Sequence, residues 1–110
     1  LSRIFRQMVR VTIVVAKDVL DAALAVLLEV LAAANRVAAA RSGRGVFAIE
    51  VRGLDARVIR TGLGQAVSTR GKLGTARGAP DVVIVMNPIY CDEIRADLAA
   101  MGLAPEVTAV

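Results

Sequence analysis

The chain contains no histidine and a single cysteine among its 110 residues. Without histidine it cannot build, from its own residues, the Ser-His or Cys-His pairs that activate nucleophiles in many hydrolases. One cysteine excludes an intrachain disulfide, which fits a reducing compartment, and we therefore expect a cytoplasmic protein. We predict neither a cofactor nor a metal site.

Aromatic residues make up only 3% of the chain, so it offers no stacking platform for single-stranded nucleic acid or sugar rings. The formal net charge of +4 comes from 14 arginines and lysines against 10 acidic residues. The basic residues are scattered along the sequence and form no stripe, which favours a solvated surface. We expect no direct sequence-specific DNA contact from this segment.

Long uninterrupted hydrophobic runs are also missing, although 56% of the residues are hydrophobic. The best candidate, residues 19–34, is interrupted by Asp21 and Glu29. A spanning helix needs about 20 largely apolar residues, and a central carboxylate would cost it several kcal/mol. The sequence therefore predicts no membrane segment.

Hydrophobic periodicity predicts one α/β domain over residues 9–110, preceded by an N-terminal extension, residues 1–8. Residues 9–16 (VRVTIVVA) predict a strand that is covered on both faces. Asp18 is the expected cap of the following helix, and leucines recur along one helical face. These are Leu20, Leu24, Leu27, Leu28 and Leu31. The helix is expected to run to about residue 40 and to end at Ser42-Gly43.

The remaining predicted elements are strands at residues 46–52, 57–60, 66–68, 81–86 and 106–110, and a helix at residues 91–101. The order argues for a mainly parallel sheet. The glycine-rich stretch TGLGQAVSTRGKLG lacks both the dinucleotide fingerprint and the Walker lysine-serine pair. We interpret it as turns.

The stretch PDVVIVMNPIYC holds the candidate site, because a buried strand ends there and ligands bind at the carboxyl ends of parallel strands. Asn87, Tyr90 and Cys91 follow that strand and are candidate ligand-binding residues. Glu29 is a fourth candidate, either as a solvated helix position or as a carboxylate near a strand end. Cys91 has no histidine partner, and the acidic Asp92 and Glu93 follow it directly, so we predict no catalytic residue.

Residues 9–85 resemble the N-terminal class I glutamine amidotransferase-like (ThiJ/PfpI) domain of AraC-type transcriptional regulators. The segments that carry the resemblance are VTIVVAKDVLDAALAVLLEVLAAANR, FAIEVRGLDARVIRTGLG and KLGTARGAPDVVIV. It implies an incomplete flavodoxin-like three-layer sandwich that senses a small molecule and dimerises, followed in that family by a DNA-binding helix-turn-helix pair. It also implies that Glu29 corresponds to the superfamily's helix carboxylate.

The chain departs from that pattern after the strand, where Met86-Asn87-Pro88 replaces the family's Pro-Gly-Gly or Pro-Gly-Leu. The Cys-x-Gly elbow is also missing, so Cys91 is not the family's cysteine. Separately, PDVVIVMNPIYCDEIRADLAAMGL resembles the C-terminal end of sugar C-methyltransferases. The alternatives to a regulator domain are thus a fragment of such a transferase or of a ThiJ/PfpI-like hydrolase.

Self-association is expected from the strands at residues 11–16 and 82–86. Both are apolar on both faces, and only two sizeable helices are available to cover them. Burial of apolar surface is stabilising by about 25 cal/mol per Å². The sequence therefore predicts a homo-oligomer.

We predict that the chain has no hydrolase, amidotransferase or methyltransferase activity by itself, because the histidine, the elbow and the methyl-donor domain are missing. Assays with a simple amide, an ester and a glyoxal substrate should show no turnover. Turnover that disappears in a Cys91→Ser variant would contradict this prediction.

Overall fold

A four-stranded parallel sheet organises the chain, and the computed structural model describes residues 8–76 and 78–110. The predicted extension, residues 1–8, lies outside these ranges except for Met8. The strands and α-helices are, in chain order, β1 (Val9–Val15), α1 (Asp21–Ser42), β2 (Phe47–Gly53), β3 (Val58–Arg60), β4 (Ala66–Ser68), β5 (Val82–Val85), α2 (Cys91–Ala100) and β6 (Glu106–Ala109). Short 3-10 turns occupy Leu73–Thr75 and Pro88–Tyr90.

The sheet has the strand order β2-β1-β5-β6, and every pair in it is parallel. β3 and β4 form a separate antiparallel hairpin between β2 and β5. The expected α/β class and mainly parallel sheet are confirmed, and the arrangement is that of an incomplete flavodoxin-like sandwich. Where a complete doubly wound fold has a helix between its second and third sheet strands, this chain has the hairpin.

Hydrophobic side chains fill both faces of the sheet, because successive residues of a strand point to opposite sides. On the α1 side, Val11, Ile13 and Val15 of β1 pack with Leu24. The α2 side holds a second cluster of buried residues, namely Val14, Leu73, Val83, Val85, Ile94 and Leu98. All residues from Val11 to Val15 are buried, as the prediction of a doubly covered strand requires.

Helix α1 begins later than its sequence suggested. Asp18 was the expected cap, but the helix is preceded by Leu20, and no side chain caps its first turn. Leu20 was expected on the buried face and is 70% exposed, because it lies before the first helical turn. The other end agrees with prediction: Gly43 takes a left-handed conformation (φ +82°), and its N–H donates to the carbonyl of Ala39.

Two inward residues of α2 were predicted correctly. Ile94 and Leu98 are buried against the sheet, one turn apart on the same helical face. The acidic residues Asp92, Glu93 and Asp97 are exposed on the other side. This alternation fixes how α2 is rotated on the sheet.

Among the described residues, α1 is the one helix long and apolar enough to cross a membrane by length and composition. The core helix of a soluble protein and a signal sequence satisfy the same criterion. In this fold α1 connects the neighbouring parallel strands β1 and β2. Parallel neighbours need a crossover segment of this kind, and we interpret α1 as that crossover helix.

Asn35 joins the C-terminal half of α1 to the start of β2. Its Oδ1 accepts hydrogen bonds from the N–H groups of Val46 (2.9 Å) and Phe47 (2.8 Å). Its Nδ2 donates to the carbonyl of Phe47 at 2.9 Å. One side chain therefore sets where β2 begins relative to the helix.

We expect Asn35→Ala to lower the free energy of unfolding by about 2–3 kcal/mol, since each of three lost hydrogen bonds contributes roughly 1 kcal/mol. Asn35→Asp keeps both acceptor contacts and loses only the donor, so its loss should be smaller. Chemical denaturation followed by circular dichroism measures both values. Equal stability of Asn35→Ala and the unmodified chain would contradict this account.

Candidate functional site

The candidate site lies where the strand order of the sheet reverses. The chain leaves β1 through α1 towards β2 on one side, whereas β5 lies on the other side of β1. The loops that follow β1 and β5 therefore diverge and leave a crevice at the carboxyl ends of these strands. In open α/β sheets this is the position at which ligands bind.

A cavity of about 460 Å³ occupies this crevice. Its volume is in the range of small-molecule sites. Its polar lining comes from the two loops, with Lys17 and Asp18 after β1 and Asn87 and Tyr90 after β5. Its apolar lining comprises Val14, Ala16, Val19, Leu20, Leu54, Val85, Met86, Pro88, Ile89, Ile94 and Val110.

The loop after β1 has an unusual backbone at Asp18. This residue has φ +67°, a region that non-glycine residues enter at a cost and that often occurs at functional sites. The hairpin holds the loop in this shape. The Asp18 N–H donates to the carbonyl of Arg60 at 2.8 Å, and the N–H of Gly62 donates to the carbonyl of Val19 at 2.9 Å.

Asp21 makes a second connection between α1 and the hairpin. Its carboxylate accepts from the Thr61 hydroxyl at 2.7 Å and from the Leu63 N–H at 3.1 Å. Both carboxylate oxygens thus have donors, at the helix end where the dipole favours a negative charge. The hairpin that replaces a helix in this fold therefore braces one rim of the cavity.

Two of the four residues predicted from the sequence line the cavity. The Asn87 Oδ1 accepts a hydrogen bond from the Ile89 N–H at 3.2 Å, which orients the side chain at the rim. Its Nδ2 has no protein partner among residues 8–76 and 78–110, and it remains a donor for a ligand. Tyr90 lies between the cavity and the second core cluster.

The other two predicted residues are not brought to the cavity. Cys91 is half-buried and packs against the second core cluster next to Tyr90. Glu29 is exposed on α1, roughly two turns beyond Asp21. The carboxylate at the cavity rim is that of Asp18, with Asp21 behind it.

Sequence reasoning missed Lys17 and Asp18 as site residues. They stand directly after β1, so the rule about strand carboxyl ends applied to them as it did to Asn87. What the sequence did not supply was the strand order, which brings the ends of β1 and β5 together. Among the residues that the structure describes, no group of three or more potential ligands is placed to hold a metal ion.

No protein-family model and no curated protein matches the chain. The fold itself is shared with solved structures. One is an AraC family transcriptional regulator from Pseudomonas putida, with a TM-score of 0.64 and 23% identity over 91% of this chain. Another is a proposed transcriptional regulator protein from Vibrio parahaemolyticus, with a TM-score of 0.60 and 18% identity over 94% of this chain. The chain spans 62% and 56% of the length of these two structures.

At this level of sequence identity the comparisons establish a common fold only. The function has to be argued from the residues of the site. Both alignments cover more than nine tenths of this chain, so the shared fold is not confined to one strand-helix unit. The resemblance to sugar C-methyltransferases finds no support among these two structures.

The conformation of Asp18 yields a stability prediction. Asp18→Gly should leave the free energy of unfolding unchanged or raise it by up to about 1 kcal/mol, because glycine adopts a positive φ freely. Asp18→Val should lower it by about 1–3 kcal/mol, since a β-branched residue is strained there.

The matched controls are Asp55→Gly and Asp55→Val, at an exposed aspartate that does not have a positive φ. Urea denaturation of the four variants gives the comparison. If valine is tolerated equally at both positions, the strained loop is not imposed by the hairpin.

Proposed function

We propose that this chain is the ligand-sensing and dimerisation part of an AraC-type transcriptional regulator and that it is not catalytic. The observation that carries the proposal is the cavity at the strand switch point, whose polar lining consists of Lys17, Asp18, Asn87 and Tyr90. The similarity in fold to the two regulator structures supports the same conclusion. Under this proposal DNA is read by a separate helix-turn-helix pair, and the protein acts in the cytoplasm.

The lining indicates the kind of small molecule that would bind. Lys17 supplies an ammonium group, Asp18 a carboxylate, and Asn87 an amide donor, around an apolar floor. A ligand with both an anionic and a cationic or hydroxyl group, and a short apolar body, would satisfy these groups. Buried polar groups of a ligand need such partners, whereas the floor favours its apolar part.

Sensing requires that the bound ligand change the conformation of the two loops that it contacts. One loop is tied to the hairpin through Asp18 and Asp21, and the other leads directly into α2. A ligand bridging Lys17 and Asn87 would fix the separation of α1 and α2 at their N-terminal ends. We propose this coupling as the route from the cavity to the rest of a regulator.

A ThiJ/PfpI relationship belongs to the same proposal. It fits the sheet order and the crossover helix α1. The loop after β5, with Asn87-Pro88 and a 3-10 turn, replaces the glycine-containing turn of that superfamily. We therefore propose a ligand-binding derivative of that fold in which this loop provides side chains for recognition.

The test is a thermal-shift screen with small amino acids, hydroxy acids, amines and dicarboxylates. A ligand at about 100 times its dissociation constant should stabilise the chain by about 2.7 kcal/mol. For a domain of this size that corresponds to a rise in Tm of roughly 10 °C. Titration calorimetry then gives the affinity of each compound found.

Lys17→Ala and Asn87→Ala should weaken binding of such a compound about tenfold or more, as expected for a lost charged or polar contact. Lys72→Ala is the matched control, because the chain has two lysines and Lys72 is exposed outside the cavity lining. Binding that is unaffected by both Lys17→Ala and Asn87→Ala would mean that the ligand binds outside this cavity. A screen without any stabilising compound would count against sensing.

A further inference from the structure

The outer face of α1 is apolar and uncovered. Val26, Val30 and Val37 are 61%, 59% and 56% exposed, although valine is usually buried in folded proteins. The exposed Ala22 and Ala40 extend the same surface along the helix. Beside it lies an apolar depression of about 480 Å³, lined by Ala22, Ala23, Val26, Leu27, Val30 and Val110.

Two charged residues interrupt this face, and their spacing is informative. Glu29 and Arg36 are both exposed and are seven residues apart, so they lie on one side of the helix about 10.5 Å from each other along its axis. Neither has an ion-pair partner among the described residues. Between residues 22 and 40 the face therefore carries one negative and one positive charge, and the exposed Arg41 follows in the last turn of α1.

The charges of Glu29 and Arg36 are complementary to those of a second copy of α1 when the two helices are antiparallel. When two copies of α1 pack antiparallel about a two-fold axis between Ala32 and Ala33, Glu29 of each copy lies opposite Arg36 of the other. Both charge pairs form at once, and the small alanines at the centre allow the helices to approach closely. A parallel arrangement would instead bring like charges together, which is unfavourable.

The central strands do not offer a competing surface. Self-association was expected because the β1 and β5 regions are apolar on both faces, but Val11 to Val15 and Val83 to Met86 are all buried within one chain. Among the described residues, α1 carries three of the exposed large hydrophobic side chains on one side, namely Val26, Val30 and Val37. The apolar surface that would drive association is therefore the outer face of α1 and not the sheet.

We propose that the outer face of α1 is the surface through which two copies of this chain associate, antiparallel, with Glu29 of each copy paired to Arg36 of the other. This inference rests on the dimerisation part of the proposed function and assigns it a surface and a register. It also gives Glu29 a role that does not involve the ligand cavity.

The test uses charge reversal in the 110-residue chain, with sedimentation velocity at micromolar concentration and about 50 mM salt, where screening is weak. Glu29→Arg and Arg36→Glu should each raise the dimer dissociation constant about tenfold or more, because each creates two like-charge contacts. The double variant Glu29→Arg/Arg36→Glu should return to within about threefold of the original value, since both pairs are restored with reversed sign.

A mixture of the two single variants gives a sharper result. Each variant repels itself, because all four of its facing charges have the same sign. In a mixed pair, one helix carries only positive charges at positions 29 and 36 and the other carries only negative ones. An equimolar mixture should therefore form heterodimers.

The matched controls are Glu93→Arg and Arg57→Glu, at exposed residues outside α1. They change the net charge by the same amounts as the two test variants but leave the face of α1 intact. Their dimer dissociation constants should stay within about threefold of the original value, since neither residue faces a partner charge in the proposed interface. Circular dichroism and Tm confirm that every variant is folded.

The proposal is overturned if the unmodified chain is monomeric at about 100 µM, a concentration at which even a weak specific dimer is populated. It is also overturned if the single variants associate as tightly as the original, or if neither the double variant nor the mixture recovers association. A third outcome concerns membranes. If the chain floats with anionic lipid vesicles, and Val30→Asp abolishes this flotation, the face of α1 binds a membrane and not a second copy. This result would also overturn the proposal.

The two proposals fail in different ways. Ligand-induced thermal shifts should persist in the charge variants, because the cavity lies at the strand ends and not on the outer face of α1. Their loss would count against the separation of cavity and interface. Failure of dimerisation alone leaves the sensing proposal intact.

Discussion

The parallel pairing of β1 with both β2 and β5 is the constraint on which the rest of the structure depends. A strand bonded on both edges and packed on both faces must be largely apolar. VTIVV meets that requirement, and its one polar side chain, Thr12, donates a hydrogen bond to Glu50. Once β1 is central, its two neighbours must be reached by connections on opposite sides of the sheet. The helices α1 and α2 then cover opposite faces, and the crevice between the loops after β1 and β5 follows from the same geometry.

The elements that could be predicted from the sequence are those with a strong local signal. β1, α1 and α2 have clear hydrophobic periodicity, and Gly43 ends α1 through a conformation that glycine favours. The error at the start of α1 has a physical cause. Asp18 has the chemistry of a cap, but hydrogen bonding to Arg60 in the distant hairpin holds it at a positive φ. A hydrogen bond between residues so far apart along the chain cannot be predicted from the local sequence pattern.

The candidate site was half predictable for the same reason. Asn87 and Tyr90 follow a recognisable buried strand, and the structure places both at the cavity. Lys17 joins them only because β5 pairs with β1, although α1, β2 and the hairpin lie between the two loops along the chain. Resemblance pointed to Glu29 as the carboxylate of interest, yet the carboxylate that lines the cavity is that of Asp18. Of the two readings that the sequence left open for Glu29, the structure shows the solvated helix position.

Glu29 shows how exposure changes the interpretation of a polar residue in an apolar helix. A carboxylate in a desolvated pocket would need donors around it, and Glu29 has water on its side of α1. Its neighbours on that side, Val26 and Val30, are apolar groups that gain by being covered. A charge retained in the middle of such a face costs little in water and contributes specificity when a partner charge meets it. Arg36, two turns further along, is the residue of this face with the required sign and spacing.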